Sequence, residues 1–363
     1  MRHVLAIVVF LIAAAGSLAG DVLLGADISS LPGVEDGGGV FLDPGADTPD
    51  DALAILARGG VGLARIRLWH TPPHGRGGLD EVAALAARAR GAGLDVLLDI
   101  HYSDTWADPG HQTPPAAWAG LDDGALADSV RAYTRDALRA VAYAGAAPRW
   151  VQLGNEITGG MLWDAGRTGG AFDTPAQWDR LARLLRAAAA GVEDALPGRL
   201  RPRIMLHTDR GGDADAAVRF CRELAARDAP FDLVGVSYYP WWHGSLDALS
   251  RTLDALATRV GRPVMVVETA YPWTLGWFDH TANPVGLPEH LLDGYPATPD
   301  GQRDFLRAVR ARVAAVPDGL GAGVVWWEPA WIAAPRYGSP WENLTWFDQR
   351  GRALPALAAS SNR

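Results

Sequence analysis

Two glutamates close apolar, β-branched runs: Glu156 ends Val151-Gln152-Leu153-Gly154-Asn155-Glu156, and Glu268 ends Val264-Met265-Val266-Val267-Glu268. An unpaired carboxylate is costly to bury, so neither is an ordinary end to a hydrophobic strand. Cleavage of a glycosidic bond with retention needs two carboxyl groups about 5 Å apart, one protonated to donate to the leaving oxygen and one ionised to attack the anomeric carbon. Glu156 follows Asn155, whose amide can fix a sugar 2-hydroxyl, and is read as the acid/base; Glu268 is read as the nucleophile. Arg67 is expected to keep Glu268 ionised and Tyr238 to donate a hydrogen bond to it, so that the two carboxyl pKa values are driven apart. Either glutamate alone could equally form a structural salt bridge at a strand end. Both together favour a site.

Such a pair needs a scaffold that brings distant strand ends to one mouth. Strand-length apolar runs lie near Val22–Ile28, Gly62–Trp69, Asp95–His101, Trp150–Glu156, Arg203–His207, Leu233–Tyr238, Pro263–Glu268 and Ala322–Glu328, alternating with segments of helical period. That alternation predicts a parallel sheet with crossover helices, and eight strands predict a single-domain (β/α)8 TIM barrel, an α/β fold. Leu126, Val130, Tyr133, Ala137, Leu138 and Val141 mark one helix, stopped by Gly145. Thr174-Pro175-Ala176-Gln177 starts another as a capping box, and Leu246, Leu249, Leu253 and Leu256 mark a third. Every strand exit carries polar or aromatic residues, and active sites of this barrel lie at that face. The exits supply Arg67, His101, Asn155 and Tyr238 as supporting residues, and Asp27, Asp104, Trp106 and Trp327 as candidates to bind substrate. The stretch from Thr269 to about Thr298 has no helical period, and a loop of that length in a compact domain is usually functional.

Composition narrows the partners. The 363 residues carry a net charge of −9, with 33 basic residues that are all Arg and form no basic stripe, so nucleic acid is an unpromising ligand. Fifteen Trp residues offer flat surfaces to sugar rings, with roughly half of them assigned to the core. Met1-Arg2-His3, the apolar run Val4 to Ala15 and the small residues Gly16-Ser17-Leu18-Ala19 predict a signal peptide over residues 1–19, a mature catalytic domain over residues 20–363, and a secreted or periplasmic bacterial protein with no membrane association after cleavage. The alternative is an uncleaved anchor. Cys221 is the only cysteine and cannot form an internal disulfide. A monomer is expected. His101 lies in no HxH or HExxH spacing, which disfavours a catalytic metal, and the absence of a GxSxG elbow disfavours a serine hydrolase.

Read in order, Gly25-Ala26-Asp27-Ile28-Ser29-Ser30, Arg65-Ile66-Arg67-Leu68-Trp69, the stretch DIHYSDTWADPG from Asp99 to Gly110, QLGNEITGGMLW from Gln152 to Trp163, Ser237-Tyr238-Tyr239-Pro240, Val267-Glu268-Thr269-Ala270-Tyr271-Pro272 and Trp327-Glu328-Pro329-Ala330-Trp331 resemble glycoside hydrolase family 53, the arabinogalactan endo-β-1,4-galactanases. The likeness runs from about Gly25 to Pro355. It implies the barrel, a retaining mechanism with Glu156 as acid/base and Glu268 as nucleophile, and a substrate the residues alone do not give, the β-1,4-linked galactan of type I arabinogalactan. No cofactor is implied for the chemistry. The resemblance extends to some bacterial relatives that look calcium-dependent, with the ion in the loop after the nucleophile strand, which makes Asp279, His280 and Asn283 candidate ligands here, although a dense acidic cluster is missing and backbone carbonyls with Asp293 or Asp300 would have to complete the set.

Two rival readings stay open on the residues. One is a β-glycanase of the same type acting on mannan or xylan; the other is a secreted sugar-binding barrel that has lost turnover. A binder has no need of paired acids with opposed pKa values, and the curved galactan chain calls for a curved, Trp-lined groove.

Overall fold

The computed structural model describes residues 22–358, so the segment read as a signal peptide lies outside the described residues. Among the described residues, eight parallel strands close into a barrel: β1 (Leu23–Asp27), β2 (Leu63–Leu68), β3 (Asp95–Ile100), β4 (Trp150–Leu153), β5 (Arg203–Thr208), β6 (Leu233–Tyr238), β7 (Val264–Thr269) and β8 (Gly321–Trp326). Each pairs with its sequence neighbour, and β8 returns to β1 with Leu23 opposite Gly323. The chain is therefore a single-domain TIM barrel, with all eight expected strands in place. The helices that follow the strands are α1 (Ala52–Arg58), α2 (Leu79–Gly91), α3 (Asp123–Tyr143), α4 (Pro175–Ala195), α5 (Ala214–Ala225), α6 (Leu246–Val260), α7 (Pro299–Ala314) and the short α8 (Pro355–Ala358). No helix among the described residues is long and apolar enough to cross a membrane.

Side-chain alternation along the strands sorts the core into two bodies. Leu63, Leu97, Trp150, Met205, Leu233, Met265, Val267 and Val325 fill the barrel interior as an apolar plug, while residues of opposite parity, such as Ile66, Leu98, Val151 and Val266, pack outward against the helices. Two positions further along β2, β3, β4 and β5 the interior turns polar: Leu63 gives way to Arg65, Leu97 to Asp99, Trp150 to Gln152 and Met205 to His207, all buried. The plug thus excludes water from beneath a charged layer. That layer is the floor of the site.

One strand breaks the alternation. Val236 pairs with Val266 but Ser237 pairs with Glu268, and on the other side Val324 pairs with Val266 but Trp326 with Thr269. This extra residue in β7 is a β-bulge, and it resets the phase so that Val267 and Glu268 both face the interior. Without it Glu268 would share the outward face of Val266.

The helix caps follow local sequence. Asp122 accepts from Gly124 N and Ala125 N at the start of α3, and the chain leaves that helix through Gly145 at φ 84°. Thr174 Oγ1 accepts from Gln177 N at the start of α4, but the expected reciprocal bond is not made: Gln177 Nε2 instead donates to the Asp164 and Arg167 carbonyls and ties the helix to the loop before it. The α3–α4 contact is close enough that a Cβ on Gly191 would lie 2.4 Å from the Arg131 carbonyl oxygen. Seven of the fifteen Trp residues are buried, in keeping with the expected half. Cys221 is buried in α5, and burial pushes its thiol up to about 12, so it is packing and not a nucleophile.

Candidate active site

A cavity of about 600 Å³ opens at the C-terminal mouth of the barrel, and Glu156 and Glu268 both line it. The chain presents Glu156 by leaving β4 at Leu153, three residues earlier than the apolar run indicates, through Gly154 at φ 83° and Glu156 itself at φ 49°, ψ 49°. The left-handed conformation is costly for a residue with a Cβ, by about 1–3 kcal/mol, and is held here by the surrounding packing. Tyr102 and Glu328, at the exits of β3 and β8, share it at φ 52° and 51°.

The two glutamates have unlike surroundings. Glu156 Oε1 accepts a hydrogen bond from Ser237 Oγ at 2.6 Å, and Ser237 Oγ is in turn 2.8 Å from His207 Nε2. With its proton given to Glu156, Ser237 is left to accept from the imidazole N–H. Glu268 Oε1 is ion-paired with Arg65 Nη2 at 2.9 Å, and its Oε2 accepts from Tyr239 Oη at 3.0 Å. Arg65 is fully enclosed and also meets Asp27 at 2.7 Å and Asp99 at 2.8 Å; burial works against its charge, but Asp99, Glu268 and Asp27 outweigh that and raise its pKa.

Burial, and then the charge of Glu268, push the Glu156 carboxyl well above its ordinary value, with Ser237 pulling the other way. Burial also pushes Glu268 up to about 7, but Arg65 is the largest opposing influence, against the charges of Asp27 and Asp99. Of the two glutamates, only Glu268 is ion-paired with the guanidinium. These surroundings favour the proton on Glu156 and the charge on Glu268 within a single cavity.

The remaining predicted residues divide. Arg67, His101, Trp106, Asn155 and Trp327 line the same cavity. Asn155 is fixed by accepting from Arg65 Nη2 at 2.8 Å and donating to the Ala107 carbonyl at 2.8 Å. His101 Nδ1 accepts from Ala107 N at 3.1 Å and Trp69 Nε1 at 3.3 Å, so its proton sits on Nε2 and is donated to Asp99 at 3.0 Å. A neutral, fully engaged imidazole is a wall of the site.

Other expectations need correction. Arg67 does not hold Glu268: its guanidinium is stacked between the Trp69 and Trp106 rings at 4.2 and 4.0 Å and lies 3.8 Å from Glu328, and Arg65, one layer deeper, takes the expected role. Tyr238 points outward, stacks on Phe305 and donates to the Gly244 carbonyl at 2.8 Å, because the inward parity of β6 belongs to Ser237 and Tyr239. Asp27 lies beneath the cavity as a partner of Arg65. Asp104 does not line the cavity either; it accepts from Thr71 N at 2.9 Å and Ala116 N at 2.8 Å and so joins two loops.

The calcium candidates do not assemble. Both carboxylate oxygens of Asp279 are taken by backbone amides, those of Thr281 and Ser339, and His280 is exposed. Asn283 Oδ1 and Glu342 Oε2 are buried acceptors without partners, but two such atoms fall short of the six to eight oxygens calcium takes. Among the described residues no group of three or more His, Cys, Asp or Glu is arranged to hold a metal.

The sequence reading missed Arg65, Ser237 and Tyr239; strand parity favours Ser237 and Tyr239 over Tyr238 but admits Arg65 and Arg67 alike. Trp331 and Trp341, which also line the cavity, lie in the long segment after β8 and carried no periodic signal. Five indoles, those of Trp106, Trp242, Trp327, Trp331 and Trp341, surround the two glutamates.

A closed barrel with an acid and a carboxylate at its C-terminal mouth, walled by indoles, defines a glycoside hydrolase. The family model described as glycosyl hydrolase family 53 matches residues 23–359, and the chain belongs to that family. It is 42% identical to a probable arabinogalactan endo-beta-1,4-galactanase A of Aspergillus terreus, over 87% of each chain. The Ignisphaera aggregans GH53 catalytic domain superposes with a TM-score of 0.85 at 36% identity, covering 95% of this chain and 96% of that one. A solved structure of fungal beta-1,4-galactanases gives 0.81 at 34% identity, covering 95% of this chain and all of that one.

Proposed function

We propose that the chain is an exported, retaining endo-β-1,4-galactanase that cuts internal bonds of the galactan in type I arabinogalactan. The observation that carries the mechanism is the asymmetry between two glutamates of one cavity: Arg65 and Tyr239 on Glu268, Ser237 on Glu156. In the first step Glu268 attacks the anomeric carbon while Glu156 gives its proton to the glycosidic oxygen, the C–O bond breaks and the leaving chain departs. Glu156, now ionised, takes a proton from water, which attacks the same carbon and breaks the bond to Glu268. Two inversions give retention. The choice of galactan rests on relatives named arabinogalactan endo-beta-1,4-galactanase, 36–42% identical to this chain over most of its length. Solved GH10 xylanases, at 12–15% identity, share the fold alone.

The test is reducing-sugar release from potato galactan, xylan, mannan and carboxymethylcellulose under one set of conditions. Galactan is expected to be cut at least tenfold faster than the others. An untouched galactan beside a degraded xylan or mannan overturns the substrate assignment and leaves the paired-glutamate mechanism standing.

A further inference from the structure

Gln112 lies two residues past the DIHYSDTWADPG stretch, 2% exposed and outside the lining of the cavity. Asp108 and His111 close a tight turn over Pro109 and Gly110, Asp108 N donating to the His111 carbonyl at 2.8 Å and His111 N to the Asp108 carbonyl at 3.1 Å. The turn sends the next side chain inward. Gln112 Nε2 donates to the Asn155 carbonyl at 2.8 Å and to the Asp108 carbonyl at 3.1 Å, and two carbonyl acceptors require the NH2 end of the amide there. The Gln112 carbonyl in turn accepts from Trp163 N at 2.8 Å. One residue thus ties the loop after β3 to the loop after β4, on both sides of Glu156.

The bond matters because of which carbonyl it takes. The Asn155 carbonyl belongs to the peptide plane shared with Glu156, and the other side of that plane, Glu156 N, donates to His207 Nδ1 at 3.3 Å. Two side chains from different strand exits therefore hold one amide at both ends. The backbone they hold is the left-handed one: Glu156 has φ 49°, a region that a residue with a Cβ occupies only where its surroundings impose it. The carboxyl leaves the same Cα, so a turn of the plane moves the acid against the bond it protonates. Packing alone does not ask for a glutamine at this position, because its Oε1 is buried without a partner, a cost that an apolar side chain of the same length avoids. Resting on the function proposed above, we propose that Gln112 is a positioning residue, which holds the peptide joining Asn155 and Glu156 so that the Glu156 carboxyl meets the glycosidic oxygen. Loss of the bond lets that peptide relax and draws the acid away from the departing oxygen. Glu268, held by Arg65 and Tyr239, keeps its place.

The experiment compares 2,4-dinitrophenyl and phenyl β-galactobiosides, which share a sugar and differ in how much proton donation their departure needs. Gln112→Met removes the donor and Gln112→Asn draws it back by one methylene, so two variants with different effects on packing test the same bond. In each, kcat/KM for the phenyl substrate is expected to fall about tenfold, the worth of one hydrogen bond, and kcat/KM for the dinitrophenyl substrate to stay within about twofold of wild type. Galactan, whose leaving group is a sugar hydroxyl, should follow the phenyl substrate. Equal losses on the two aryl substrates, or failure of both variants to fold, would make Gln112 a structural residue and overturn the proposal, and so would a phenyl rate equal to that of wild type. A wild type that releases neither phenol is a separate result, and counts against the galactanase reading itself.

Discussion

Ser237 Oγ lies 2.6 Å from Glu156 Oε1, with His207 Nε2 2.8 Å behind it, so a buried chain of donors ends on one of the two paired carboxyls. The hydroxyl favours the ionised form of Glu156, while burial and Glu268 favour the protonated form. Removing it should therefore raise the pKa of Glu156 further. In Ser237→Ala the alkaline limb of kcat/KM, which reports the acid in free enzyme, is expected to move up by about 1 unit, the worth of one hydrogen bond to a charged group. A limb that stays put or moves down would remove Ser237 from control of the proton.

Adjacent tyrosines give a sharp contrast. Tyr239 donates to Glu268 at 3.0 Å, whereas Tyr238, on the other face of β6, donates to the Gly244 carbonyl at 2.8 Å. Tyr239→Phe is expected to lower kcat/KM by roughly 10- to 100-fold, and Tyr238→Phe to cost about 1 kcal/mol of stability through the lost bond to the Gly244 carbonyl. Equal kinetic losses in the two variants would contradict the assignment of faces.

Arg65 holds three carboxylates at once, those of Asp27, Asp99 and Glu268. Arg65→Met leaves them buried without their counter-charge, so unfolding in urea should show a loss of about 3–5 kcal/mol. The acid limb of the pH profile should also rise, since Arg65 is the largest influence lowering the Glu268 pKa. Stability within about 1 kcal/mol of wild type would mean that the cluster is relaxed by water or protons and is not held by the guanidinium.

The barrel was readable because apolar plug and outer shell alternate with period 2 along strands such as Leu63–Leu68, and because the cap at Thr174 marks a helix start and Gly145 a helix end. Glu156 and Glu268 stood out as carboxyls ending apolar runs. Their partners were one residue or one layer away from the expected ones. Parity along β6 selects Ser237 and Tyr239 over Tyr238, and parity along β2 admits both Arg65 and Arg67, so only depth separates them; Asp27 and Asp99 flank the deeper one. The bulge that turns Glu268 inward has no local signature, since Val266-Val267-Glu268 reads as an unbroken strand. Trp331 and Trp341 reach the cavity through loop packing, including Trp341 Nε1 on the Trp327 carbonyl at 3.1 Å, and such packing is set by tertiary contacts.

The division of labour between Glu268 and Glu156 is tested most directly by trapping the covalent intermediate. Incubation with a 2-deoxy-2-fluoro galactobioside carrying a good leaving group, followed by peptide mapping by mass spectrometry, should find one sugar per chain, attached to Glu268. A label on Glu156 or on any other carboxyl, or no label while the enzyme releases product with inverted anomeric configuration, would contradict the assignment.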